Sequence, residues 1–234
     1  MINNKKILGI VAARKGSKGL KNKNLLKLNG YPLIYWPIKA FKNSKYIDDF
    51  ILSTDSIKIS KLANKFNCKT PFLRPANLAK DNSSSIDVVI HALNYFKSKN
   101  ILFHYVALLE PTSPLTTSED LDNAIIKLKK NKLADSIVGI SKIVGHHPDF
   151  NVKINNKSFI EFATKKIKRR QEISNLFFLD GSLYISKINS LIKYRSFYQN
   201  KTIGFLTPKW KSYEIDDYID FLTISTLMKK QKEL

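Results

Sequence analysis

The run Ala12-Ala13-Arg14-Lys15-Gly16-Ser17-Lys18-Gly19-Leu20-Lys21-Asn22-Lys23-Asn24-Leu25 directly follows the apolar residues Ile7, Leu8, Ile10 and Val11. Those apolar residues read as a short buried first strand. The chain then turns through Gly16 and Gly19 while presenting Arg14, Lys15, Lys18, Lys21 and Lys23. Glycines let a backbone approach a ligand closely, and cations neutralise that ligand if it is an anion. A strand delivering such a loop fits a polyphosphate site better than a packing element. A P-loop needs G-x-x-x-x-G-K-[ST] and a dinucleotide fingerprint needs G-x-G-x-x-G. Neither spacing is present. The plain alternative is an exposed basic turn in a lysine-rich protein.

Working outward, strand and helix patterns alternate. Pro32 to Ser44 reads as a helix with Pro32 in its first turn. Phe50 to Thr54 reads as a strand ending at Asp55, and 57–66 as a helix with Ile59, Leu62 and Ala63 on its apolar side. Ser83 to Lys97 is a longer helix, Tyr105 to Leu109 a strand, Ser118 to Lys130 a helix and Ser136 to Ile140 a strand. Repeated β-α units of this size imply a mainly parallel, three-layer α/β sheet with right-handed crossovers. The alternation breaks between Lys142 and Leu179, where hairpins are expected. Leu183-Tyr184-Ile185 resumes the sheet, and Asp216 to Lys230 reads as the final helix. In such sheets ligands bind beyond the carboxyl ends of the strands. Arg14, Asp55 and Glu110 all fall there.

The 234 residues suit one domain with a real core, given 43% hydrophobic content. No apolar run reaches the length of a membrane span. The start Met1-Ile2-Asn3-Asn4-Lys5-Lys6 has no signal-peptide layout, and Cys68 stands alone, so a cytoplasmic protein is expected. A net charge of +21 would attract nucleic acid or anionic lipid. Yet the lysines run from end to end, and no zinc-ligand cluster, helix-turn-helix signal or RNP-like strand accompanies them. Nucleic-acid binding is kept as the rival from another class.

The first loop, Ser53-Thr54-Asp55, the stretch from Leu73 to Ser85 and the stretch from Leu108 to Leu115 occur in a telling order. They are followed by His146-His147-Pro148, Arg169-Arg170-Gln171, Asp180-Gly181-Ser182-Leu183-Tyr184-Ile185 and Glu214-Ile215-Asp216-Asp217. In that order the chain resembles the CMP-sialic acid synthetases, the acylneuraminate cytidylyltransferases, from about residue 5 to 225. The resemblance implies a Rossmann-like nucleotidyltransferase fold in a single domain, 1–234, with 142–179 as an inserted segment that makes a homodimer. It implies transfer of CMP from CTP to a 2-keto-3-deoxy sugar acid, with Mg²⁺ as the metal and no membrane partner.

By the same resemblance, Arg14, Lys18 and Lys23 are the phosphate cations, with Asn24 beside them and Lys15, Lys21 and Lys27 left to solvent. Arg74 and Ser84 meet cytosine and ribose. Asn82 or Ser83 is a ready cap for the following helix. Asp81 and Asp87 have no assigned role. Glu214 and Asp216 occupy the positions of two metal-holding acids, and oxygen ligands at that spacing suit Mg²⁺. Asp216 is also a candidate to accept the proton of the attacking hydroxyl, a task that a metal-bound hydroxide would otherwise perform. The plain reading is that Asp216 or Asp217 caps the last helix. Catalysis is therefore assigned to Arg14, Lys23 and Asp216, and contact with the sugar to Glu110, Arg170, Asp180 and Tyr184. Glu110 stands where relatives that bind sialic acid usually have glutamine, and Phe150 stands where a basic residue is typical. These departures leave the acceptor open between sialic, legionaminic, pseudaminic or deoxyoctulosonic acids and a non-acid sugar. His146 and His147 read as structural rather than as zinc ligands.

Overall fold

A computed structural model describes residues 5–16, 19–144, 147–162 and 175–231. β1 (Ile7–Ala12) leads through the cationic loop into β2 (Lys27–Leu28) and β3 (Tyr31–Pro32), a small hairpin joined at Asn29-Gly30. α1 (Tyr35–Asn43), β4 (Asp49–Ser53), α2 (Ile57–Lys65), α3 (Ser85–Ser98), β5 (Tyr105–Leu109), α4 (Ser118–Lys130) and β6 (Ser136–Lys142) follow. Beyond them come the hairpin β7 (Val152–Ile154) and β8 (Ile160–Phe162), then β9 (Phe177–Lys187), α5 (Ile188–Tyr194), β10 (Thr202–Leu206) and α6 (Tyr218–Lys230).

The main sheet has the order β10-β6-β9-β5-β1-β4. β4, β1 and β5 pair in parallel, as do β6 and β10, whereas β9 runs antiparallel between β5 and β6. The sheet is thus mainly parallel and has helices on both faces. Alternation along β1 divides the core: Ile7 and Val11 pack beneath α1, α2 and α4, and Leu8 and Ile10 pack beneath α3 and α5. A third apolar cluster joins Leu28 and Leu33 of the first hairpin to Leu115, Ile215 and Ile224, with Trp36 and Trp210 packed against it. This cluster pins the carboxyl-terminal acids against the amino-terminal loop.

Of the boundaries that differ from the expected ones, two have a clear local cause. Pro32 lies in β3, and the proline in the first turn of α1 is Pro37, where a missing N–H costs no intrahelical bond. α3 begins at Ser85 because Ser84, not Asn82 or Ser83, caps it, its hydroxyl accepting from the Ile86 N–H at 3.1 Å. Among the described residues, no helix is long and apolar enough to cross a membrane.

Candidate active site

The loop after β1 is held by its neighbours. The Lys15 N–H donates to Asp55 at 2.7 Å, and Asn24 Nδ2 donates to the Arg14 carbonyl at 2.8 Å. Arg14 lines a cleft of about 190 Å³ together with Lys23, Arg74, Ser85, Glu110 and Thr112. Arg74 is buried and anchored on the end of β4, donating to the Ser53 carbonyl at 2.5 Å and to Ser53 Oγ at 3.2 Å. Burial pulls its pKa down to about 10, against the pull of Asp55 and Glu110 and helped by Arg14, so it stays cationic at neutral pH. Glu110, at the end of β5, accepts from Ser85 Oγ at 2.9 Å.

The segment Glu214-Ile215-Asp216 lies against Lys23 and Thr112, two residues that line this cleft. Ile215 is fully buried, and its N–H donates to the Thr112 carbonyl at 2.8 Å, which fixes the acids on either side. Lys23 Nζ donates to the Ile215 carbonyl at 2.7 Å and lies 3.3 Å from Asp216 Oδ1. Gly19 packs so closely on this segment that a Cβ there would sit 2.1 Å from the Asp216 carbonyl oxygen. The close approach that Gly19 permits is therefore to the chain itself. Glu214 accepts from Ser113 Oγ at 3.1 Å and lies against Gly181, which has a φ of +66°. Its pKa is pushed up to about 7, first by burial and then by Glu110, Asp216 and Asp180, against the hydrogen bond from Ser113. Asp217 caps α6, so Asp216 is not needed for that task.

Glu214 and Asp216 also line a second, larger cleft of about 630 Å³, walled by Lys142, Phe178, Lys209 and Tyr213. The acids thus stand between the two clefts: Lys23 and Thr112, which line the first, contact Asp216 and Glu214, which line the second. A phosphate in one cleft and an acceptor in the other would meet at that wall.

Arg14, Lys23, Asn24, Arg74 and Glu110 thus line the first cleft, and Glu214 and Asp216 line the second, joined to the first through Lys23 and Thr112. Lys18 and Arg170 lie outside the described residues. Ser84 is spent on its cap, while Ser83 and Ser85 line the first cleft. Asp180 lines the second cleft but is almost fully buried, its carboxylate accepting from Ser141 Oγ at 2.8 Å and the Ser182 N–H at 3.0 Å. Tyr184 packs on Phe197 and Tyr198, and burial raises its phenol pKa. Sequence reasoning missed Asp81, whose carboxylate pairs with Arg14, and the cations Lys142 and Lys209. No local spacing marks any of the three.

The family model for cytidylyltransferase matches residues 8–203. Post-translational flagellin modification protein B of Campylobacter coli is 30% identical, with 96% of each chain covered. CMP-N,N'-diacetyllegionaminic acid synthase of Legionella pneumophila is 32% identical over 97% of this chain and 98% of that one. Among solved structures, CMP:2-keto-3-deoxy-manno-octonic acid synthetase has the same fold, with a TM-score of 0.71 at 14% identity and coverage of 97% and 99%. With motifs, sheet order and relatives in agreement, the chain belongs to the cytidylyltransferase family and is a CTP-dependent nucleotidyltransferase.

Proposed function

We propose that this enzyme joins CMP to a 2-keto-3-deoxy sugar acid of the nonulosonate type. The acceptor's anomeric hydroxyl attacks the α-phosphorus of CTP, the bond from that phosphorus to the bridging oxygen breaks, and pyrophosphate leaves. The proton of the hydroxyl passes to Asp216, whose side chain is 84% exposed and lines the acceptor cleft. Arg14, Lys18 and Lys23 neutralise the triphosphate, with Asn24 steadying the loop through the Arg14 carbonyl. Arg74 meets the nucleoside, and Ser84 acts through α3 by fixing Ser83 and Ser85. The observation that carries the reading is the two-sided contact of Lys23, which lines the nucleotide cleft and touches Ile215 and Asp216.

Mg²⁺ fits this wall. Glu214 and Asp216 are oxygen donors, and the burial that chiefly lifts the Glu214 pKa, with the neighbouring acids that add to it, disfavours a bare carboxylate that a cation would stabilise. Among the described residues no group of three or more His, Cys, Asp or Glu is arranged to hold a metal alone. That suits an ion that keeps water and shares phosphate oxygens. When bound, Mg²⁺ would supply charge stabilisation on the phosphates.

For the acceptor, Glu110, Arg170, Asp180 and Tyr184 are retained; Asp180 lines the second cleft, whereas Tyr184 packs on Phe197 and Tyr198. Lys142 and Lys209 are added as cations facing a sugar carboxylate. The legionaminic relative supports a nonulosonate. A second reading keeps the fold but takes a deoxyoctulosonic acid or, as the extra carboxylate of Glu110 would favour, a non-acid sugar. We infer that 142–179 makes a homodimer: every residue of β7 and β8 is exposed, and a lone hairpin is only marginally stable. A cytoplasmic site follows from the nature of the substrates. Pyrophosphate release from CTP and from UTP, measured with sialic, legionaminic, pseudaminic, octulosonic and neutral sugars, tests the reading. Turnover is expected only with CTP, Mg²⁺ and a nonulosonic acid; turnover with none of the sugars would refute it.

A further inference from the structure

We propose that Asp81 is the positioning residue for Arg14, clamping its guanidinium in the nucleotide cleft. The inference rests on the reading of Arg14 as a triphosphate cation. Arg14 lies in the loop after β1 and carries a long side chain, so an unpaired arginine there would sample many rotamers. Asp81 Oδ1 accepts from Arg14 Nη1, and the two belong to loops 67 residues apart that line the same cleft. The side chains are 29% and 47% exposed, so the pair is wet enough to exchange yet close enough to hold one geometry. The backbone is clamped as well, through the Lys15 N–H on Asp55 and the Arg14 carbonyl on Asn24. A guanidinium has five donors. One spent on Asp81 leaves the rest, already oriented, for phosphate oxygens.

A carboxylate lining a triphosphate cleft would otherwise only repel the ligand. Its place on Arg14 gives it a use: the ordering entropy of the arginine is met before CTP arrives. Asp81 itself touches no reacting atom in this scheme.

The test is a double-mutant cycle on CTP affinity and on steady-state kinetics. Asp81→Asn should raise the Kd and KM for CTP by about tenfold and change kcat by less than about threefold. Asp81→Glu should recover most of the loss. In an Arg14→Ala background, Asp81→Asn should add nothing, because its effect runs through Arg14. Thermal melting of each variant reports folding separately. Unchanged or tighter CTP binding in Asp81→Asn, beside a loss in Arg14→Ala, overturns the positioning role alone. An equal loss in the Arg14→Ala background also overturns it, since Asp81 would then act directly. No loss in either single variant overturns the phosphate reading of Arg14 together with it.

Discussion

The two clefts are built differently. The nucleotide cleft is made where parallel strands end: Arg14 after β1, Arg74 beside the end of β4, Glu110 after β5. Backbone register fixes those positions, and short hydrogen bonds to Ser53, Asp55 and Ser85 fix the side chains or loops. The acceptor cleft joins the paired ends of β6 and β9 to residues 209–220, which lie outside the sheet, and Phe178 and Tyr213 contribute rings to it. A rigid nucleotide side and a composite acceptor side would let one scaffold keep CTP while the sugar changes.

Several outcomes would break or sharpen that contrast. The largest effect is expected at Lys23, the residue that ties the two sides. Lys23→Ala should lower kcat/KM for CTP roughly 100-fold, because misplacing Asp216 by a fraction of a bond length is costly. Steady-state pyrophosphate release checks this, and a loss confined to the acceptor KM would show that Lys23 serves one side only. Next, Lys209→Ala should raise the acceptor KM about tenfold while leaving the CTP KM unchanged, a loss typical of one charged contact. Equal changes in both KM values would erase the division between clefts.

The smallest effect concerns pH. The Glu214 carboxyl is raised from 4.5 to about 7, so the folded state holds a proton that the unfolded state has released. Stability should therefore fall as pH rises through that window in metal-free buffer. Glu214→Gln should flatten the fall, as should added Mg²⁺, which favours the ionised form. Melting curves across that range decide it; an unchanged slope in Glu214→Gln would assign the pH response elsewhere.

Much of the fold was legible because periodicity is local. β5 and α4 were expected over the residues where they occur, and the β-α order gave the parallel sheet. What periodicity does not encode is strand direction: β9 enters between β5 and β6 antiparallel after a long excursion, and only its pairing reveals that. The site follows the same rule. Lys23 and the acid pair stand in motifs, and the contact of Lys23 with Asp216 lies where those motifs converge. Asp81 reaches Arg14 through the turn of a distant loop, and nothing in its neighbours signals the pairing. Asp180 and Ser84 carry the groups a ligand needs, but each is bonded to its own chain, a choice that only three-dimensional packing makes.

A crystal structure with CTP and Mg²⁺ tests most directly whether the amino-terminal loop and the carboxyl-terminal acids serve one nucleotide. The account predicts the triphosphate on Arg14 and Lys23, with its α-phosphate facing the wall formed by Glu214 and Asp216. A nucleotide bound with its phosphates turned away from that wall would contradict it.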